Sequence, residues 1–329
     1  MGEESFSAAA NQIGDDEAAE AEAFNRRIEE RVGSGFVPDV RRAVKCDYFY
    51  KSFWREPHFV QLYETEMINV YLRMLQQYGG AGLRILDVGC GAGYVALEMA
   101  RAGHHVFAID IAESCITIAK DTLATNPFKE GFGSLEYQAM PFQDVTGVYD
   151  VVLFSGMLHH VEDPGADIRK AIGLLTEDGL VLTYEPCHEQ WRLQDAAQVA
   201  LIRTLLSLSG YWYEALADGL DTDQSKLEKY ICDIHTEYVT ERDKDEPGQS
   251  PHDNASSGGE ILAALREHLI ELEYQPGFSF IYRVLGGLRG PDEVIFKIGN
   301  FLANYEKLSI EQDYLRPNGF FFIGRRRPS

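Results

Sequence analysis

The stretch Leu83 to Asp110, "LRILDVGCGAGYVALEMARAGHHVFAID", leaves few architectures open. An apolar run ends in three glycines, Gly89, Gly91 and Gly93, and helical spacing starts at once with Tyr94. A second apolar run, "HHVFAID", closes on Asp110. Strand, tight turn, helix and strand in so few residues make a βαβ unit, whose two strands lie parallel with a right-handed crossover. Glycine is required in such a turn because it alone reaches left-handed backbone conformations at little cost and lets a ligand approach bare backbone.

The alternation continues downstream. "SLEYQAM" and "YDVVLFSG" read as strands, "ESCITIAKDTLATN" and "PGADIRKAIGLLTEDG" as helices, and "LVLTYEP" as a fifth strand. Runs such as "VVLF" suit strands covered on both faces. The expected fold is therefore α/β: a doubly wound, seven-stranded, mostly parallel sheet with helices on both faces. After Pro186 two apolar and aromatic helical segments follow with no strand between them, too long for a loop and expected to form a helical cap inserted after the fifth strand. Either "IELEYQ" or "FSFIYRV" supplies the next strand, and "GFFFIG" the last. The expected division is an acidic tail over 1–31, disordered or a frayed helix, and N-terminal helices over 32–80, one ending near Trp54 and one from Phe59 to Tyr78. The core follows over 81–187, the cap over 188–257 and the closing strands over 258–329. The polar run "KDEPGQSPHDNASSGG", with His252 and Asp253, is the candidate mobile loop.

Composition narrows the function. The formal net charge of -22 repels polyanions, so no nucleic acid partner is expected. No apolar run is long enough for a membrane span. Five scattered cysteines, Cys46, Cys90, Cys115, Cys187 and Cys232, lack zinc-site spacing and suit reduced thiols in a cytoplasmic protein. No metal site is expected.

A glycine-rich turn between strand and helix offers backbone N–H groups and a helix N-terminus, and a carboxylate ending the adjacent strand is placed to accept ribose hydroxyls. A nucleotide cofactor follows from this much. The spacing "DVGCGAGY" is G-x-G-x-G, not the G-x-G-x-x-G of dinucleotide sites, since Ala96 stands where the third glycine would fall. With "AIDIAES", "YDVVLFSGMLHHVEDP" and "LLTEDGLVLTYEP", the region from Tyr78 to Pro186 resembles the class I S-adenosylmethionine-dependent methyltransferases. The resemblance implies S-adenosylmethionine as cofactor and S-adenosylhomocysteine as product. It places Gly89, Cys90, Gly91 and Gly93 along the methionine and adenosine, with Asp87 orienting the turn and meeting the amino group. Asp110 would hold the ribose, and Ile111 would pack on adenine. "AMPFQD" departs from the family pattern, which puts Phe142 against the purine and leaves Gln143 or Asp144 for its N6. Ser155 would line the methyl-transfer site. Asp150 is expected to fix the start of its strand, and Cys90 to be a small filler rather than a nucleophile.

Methyl transfer to a hydroxyl needs a base at the C-terminal ends of the strands. His159, His160 and Glu185 are the candidates, each with a structural role as its alternative. The aromatic and aliphatic excess of the cap suits a small natural-product, lipid-like or glycosylated acceptor, with O-methylation expected. A homodimer is compatible with the sequence. A protein of the same fold that binds the cofactor without transferring methyl is the competing reading.

Overall fold

The computed structural model of the chain describes residues 3–240 and 254–328, with side chains from residue 18 onward. Helix α1 (Glu3–Gly33) leads to an aromatic segment with two 3-10 turns, Asp47–Phe49 and Phe53–Arg55. Helical structure then runs from Pro57 to Tyr78, as α2 (Pro57–Val60), one π-helical turn (Gln61–Thr65) and α3 (Glu66–Tyr78). The core follows as β1 (Arg84–Val88), α4 (Tyr94–Arg101), β2 (His105–Asp110), α5 (Glu113–Ala124), β3 (Ser134–Ala139), β4 (Tyr149–Ser155), α6 (Pro164–Leu174) and β5 (Leu175–Pro186). Cap helices α7 (Leu193–Leu208) and α8 (Gln224–Thr240) come next. The chain closes with α9 (Gly258–His268), β6 (Leu269–Pro276), α10 (Ile281–Gly287), α11 (Asp292–Glu311) and β7 (Gly319–Arg326).

The sheet has the order β3-β2-β1-β4-β5-β7-β6. β1 pairs in parallel with β2 and β4, β2 with β3, and β4 with β5, whereas β7 runs antiparallel between β5 and β6. Alternate residues of one strand enter opposite cores. Ile85, Val151 and Leu153 join the layer of α3, α4 and α10, while Leu86, Val152 and Phe154 face α6 and α9. Burial on both faces is why these strands read as unbroken apolar runs. From β1 the chain winds outward to β2 and β3, then crosses back to β4. The crevice beyond the C-terminal ends of β1 and β4 is thus the switch point where such sheets bind ligands.

Two open alternatives are decided and one expectation is corrected. Glu3–Gly33 is helical rather than a disordered tail. Ala and Glu favour helix even where large apolar groups are few, and Ile28 of this helix is buried. The Asn25 side-chain oxygen accepts the Ser114 N–H at 2.8 Å, capping α5, whose own preceding residue Ala112 has no side chain able to do so. No α-helix ends near Trp54. Pro57 forces Glu56 into an extended conformation (φ -138°, ψ 123°), and the Cys46 N–H bonds to the Arg55 carbonyl at 3.1 Å, closing a compact loop instead. "FSFIYRV" lies in and before α10, and β6 is the "IELEYQ" segment. The Glu306 carboxylate of α11 accepts the N–H groups of Phe280 and Ile281, supplying the cap from a distant helix. His252 and Asp253 lie outside the described residues. Among the described residues, no helix is long and apolar enough to cross a membrane.

Candidate functional site

The turn after β1 has the backbone its glycines predict: Gly89, Gly91 and Gly93 take φ values of +71°, +52° and +81°. Two of them are also pressed by neighbours. A Cβ on Gly89 would stand 2.8 Å from Met157 Cγ, and one on Gly93 2.5 Å from the Tyr137 hydroxyl, which donates to the Gly93 carbonyl at 2.7 Å. Gly91 has nothing within 4 Å of its Cβ position. Asp110 closes β2 and braces the turn: one carboxylate oxygen accepts the Gly91 N–H at 2.8 Å, the other the Ala112 N–H at 2.8 Å. Burial raises the Asp110 pKa, and those two N–H bonds act against the rise. Burial likewise pushes the Cys90 thiol far up, so it stays a neutral filler.

Asp87 is the unusual group. It is 1% exposed, and neither carboxylate oxygen has a hydrogen-bond partner. Burial, with repulsion from Asp110 second, raises its pKa to about 7. Buried carboxylates are normally paired. An ammonium-bearing ligand on the glycine turn would complete this one, so the residues present fit the expected cofactor.

The strand ends opposite are tightly organised. Ser155 Oγ lies 2.9 Å from the Tyr71 hydroxyl of α3. The fully buried Glu185 accepts from Met157 N (3.0 Å), Leu158 N (2.9 Å), His159 N (3.3 Å) and His159 Nδ1 (2.8 Å). It is a clamp for the loop after β4, and its acceptor capacity is spent there. The His160 ring pairs with Glu20 of α1 at 3.2 Å and meets the Phe24 edge, centroids 5.8 Å apart. The structure therefore brings His159, His160 and Glu185 together, with Glu185 holding His159 Nδ1 and the loop, and Glu20 holding His160 Nδ1. Phe142 and Gln143 make contacts of their own. The Phe142 ring is buried edge-on to Phe154, with the Lys170 ammonium over its face, and the Gln143 amide donates to Asp167 of α6 at 2.9 Å. The 3-10 turn at Phe142–Asp144 aims the ring into the core. Asp150 accepts the Arg84 N–H at 2.9 Å at the start of β1, a structural role as expected.

A group unforeseen from the sequence faces the turn from the N-terminal helices. Glu64, in the π-helical turn, is 3% exposed; one oxygen has no partner, and the carboxylate meets the Tyr94 hydroxyl at the start of α4. Burial raises its pKa to about 8. Next to it Tyr63 packs 4.6 Å from both Phe53 and Phe278 and 5.8 Å from Tyr282, and its hydroxyl bonds to Tyr184 at the end of β5. The sequence carries one signal: Val60, Glu64, Met67, Ile68, Tyr71 and Leu75 follow helical spacing, which puts an acid within an apolar stripe.

The switch-point crevice, the glycine turn and the two carboxylates on β1 and β2 define a class I S-adenosylmethionine-dependent methyltransferase domain. Residues 58–218 match the methyltransferase domain family. Among curated relatives, a ubiquinone biosynthesis O-methyltransferase of Bordetella avium is 36% identical over 116 residues, covering 33% of this chain and 46% of that protein. The corresponding protein of Acinetobacter baylyi is 35% identical over 148 residues, covering 43% of this chain and 59% of that one. The chain thus spans about half the length of the curated relatives it matches. A solved S-adenosylmethionine-dependent methyltransferase of Methanosarcina mazei superposes with a TM-score of 0.46 at 16% identity, covering 78% of this chain and 98% of that one.

Proposed function

We propose that this chain transfers the methyl group of S-adenosylmethionine to a hydroxyl of a small organic acceptor. The observation that carries the reading is Asp87: a buried carboxylate with both oxygens unpartnered, on a turn of three left-handed glycines. In the proposed complex Asp87 pairs with the ammonium of the methionine moiety, a charge-assisted contact that also relieves its burial. Each Asp110 oxygen accepts one backbone N–H and keeps a lone pair for a ribose hydroxyl. Ile111, directly after Asp110, packs on the adenine. Gly91, with open space at its Cβ position, leaves the backbone bare along the cofactor. The bound cofactor supplies an electrophilic methyl on sulfur, displaced in line, so the protein's task is chiefly to position the acceptor and exclude water. Ser155 and Tyr71 border that position.

The acceptor is small, apolar and hydroxylated in this reading. The aromatic cluster around Tyr63 and the cap support it, and the charge of -22 opposes a polyanionic substrate. The printed names of the relatives, O-methyltransferases of ubiquinone biosynthesis, favour oxygen as the methylated atom. The test is transfer of tritium from methyl-labelled S-adenosylmethionine into an extract of the source cells, followed by fractionation. Label is expected in the organic-soluble small-molecule fraction. Label confined to protein or RNA contradicts the acceptor class, and no label from protein that binds the cofactor contradicts methyl transfer itself.

A further inference from the structure

Glu185 and the Nδ1 atoms of His159 and His160 already hold partners. The Glu185 oxygens serve three backbone N–H groups and the His159 ring. His160 is turned to Glu20 and Phe24. Asp87 and Asp110 belong to the cofactor side in the proposed function. Among the described residues Glu64 is the remaining buried carboxylate between the glycine turn and the aromatic cluster.

Its placement has three independent marks. The π-helical turn at Gln61–Thr65, which carries Tyr63 and Glu64, interrupts an otherwise α-helical rod. Such turns impose a local cost and recur at functional positions. The Tyr94 hydroxyl holds the carboxylate from the cofactor side, while one oxygen, Oε1, has no partner at all. Toward β4 and β5, the hydroxyls of Tyr63 and Tyr71 are close enough to feel the Glu64 charge. Those tyrosines reach the strand ends through Tyr184 and through Ser155, respectively.

We propose that Glu64 Oε1 is the general base of the reaction, and that the acceptor is a phenol or catechol whose ring lies on the Tyr63–Tyr184–Phe278 cluster. This rests on the methyltransferase reading above and deepens it. As the acceptor oxygen forms its bond to the methyl carbon, the carbon–sulfur bond breaks and its electron pair stays on sulfur, leaving a neutral thioether. The hydroxyl proton passes to Glu64 and from there to solvent when the product leaves. A carboxylate is ordinarily too weak a base for a phenol. Burial brings this one up to about 8, near the range where the proton is shared with a phenolic acceptor at neutral pH. An aromatic acceptor also fits a cluster of rings spaced 4.6 to 6.4 Å apart better than a flexible chain does.

The probe is 4-nitrocatechol, whose ionisation is read by absorbance, bound to the S-adenosylhomocysteine complex of wild type and of Glu64→Gln. Calorimetry should show S-adenosylhomocysteine binding both proteins within about twofold, because the ribose and ammonium contacts proposed above are made by Asp110 and Asp87. The bound probe should ionise at lower pH in wild type than in Glu64→Gln, by at least one unit, a tenfold shift in its acid equilibrium. The Gln variant keeps the Tyr94 contact and removes a buried acid, so its melting temperature should not fall; Tyr94→Phe reports separately on loss of that contact. Equal probe ionisation in the two proteins, or no probe binding to the wild-type complex, overturns the proposal while leaving the cofactor site standing. Failure of S-adenosylhomocysteine to bind wild type brings down the methyltransferase reading itself.

Discussion

Asp110→Ala is expected to weaken S-adenosylhomocysteine binding by about 100-fold or more in titration calorimetry. The carboxylate ends β2 in register with Ala139 of β3, so its position is set by the sheet. It accepts the N–H groups of Gly91 and Ala112, both at 2.8 Å, and its remaining lone pairs are those proposed for the ribose hydroxyls. Hydrogen bonds to a charged acceptor contribute about 1.5–3 kcal/mol each, and two lost together give the stated factor. The substitution also frees the Gly91 N–H, so part of the loss comes from a looser turn. A urea titration of the same variant separates the two effects. A stability change of about 2 kcal/mol, from the freed Gly91 and Ala112 N–H groups, with a 100-fold affinity loss is the expected pattern. Unchanged affinity would remove Asp110 from the ribose.

Glu185→Ala is expected to cost the fold about 4 kcal/mol or more, the largest stability effect of a single polar residue at this site. The carboxylate is fully buried at the end of β5, and three consecutive backbone N–H groups, Met157, Leu158 and His159, converge on it. Each buried donor left without an acceptor costs about 1–3 kcal/mol. The His159 ring loses its partner in the same stroke. Glu185→Gln should cost less, because one side-chain oxygen can still accept from Met157 and Leu158 while the amide meets the His159 donors badly. Urea unfolding with the slope compared across variants is the measurement. A Glu185→Ala protein within 1 kcal/mol of wild type would show that the loop after β4 does not depend on this clamp.

The core of the fold was legible because its signals are local. From Leu83 to Pro186 each strand is a short apolar run, each helix follows a turn signal, and the three glycines sit where the backbone needs φ above zero. The parts misread depend on distant partners. The N-terminal helix shows few large apolar residues, and its docking comes from Ile28 and from Asn25 capping a helix some ninety positions away. The start of α10 reads as strand because Glu306, which satisfies its first N–H groups, lies on another helix. The 3-10 turns before Pro57 follow from a backbone bond between Cys46 and Arg55 that periodicity does not reveal.

The site divides the same way. Asp87, the glycines and Asp110 are recognisable by order along the chain, and they meet at one turn at the switch point. Nearness to the strand ends picks out a base and a structural clamp alike. Glu185 and His159 are at the right place, but their atoms are engaged with each other and with backbone. Phe142 turned inward because a 3-10 turn follows β3 and sends its ring into the core. Glu64 was hidden by its setting, a single acid within an apolar helical stripe. Only the fold shows that this face meets the glycine turn rather than solvent.

The central claim is that the turn at Gly89–Gly93, with Asp87 behind it, binds the cofactor's amino acid end. A buried acid with a raised folded pKa contributes stability that is present below its unfolded pKa and lost as pH rises through the folded value. Asp87, at about 7, thus makes the free protein less stable toward pH 8. Pairing with an ammonium ion reverses that preference, since the bound state holds the carboxylate charged. S-adenosylhomocysteine affinity should therefore rise about fivefold from pH 6 to pH 7 and level off above about 8. Close to one proton should be released on binding at pH 6, read by calorimetry in buffers of different ionisation enthalpy. In Asp87→Asn the affinity should be lower and flat with pH. Binding of wild type that is equally tight at pH 6 and 8, with no proton released, would contradict the role of Asp87, and absence of binding at every pH would contradict the cofactor site.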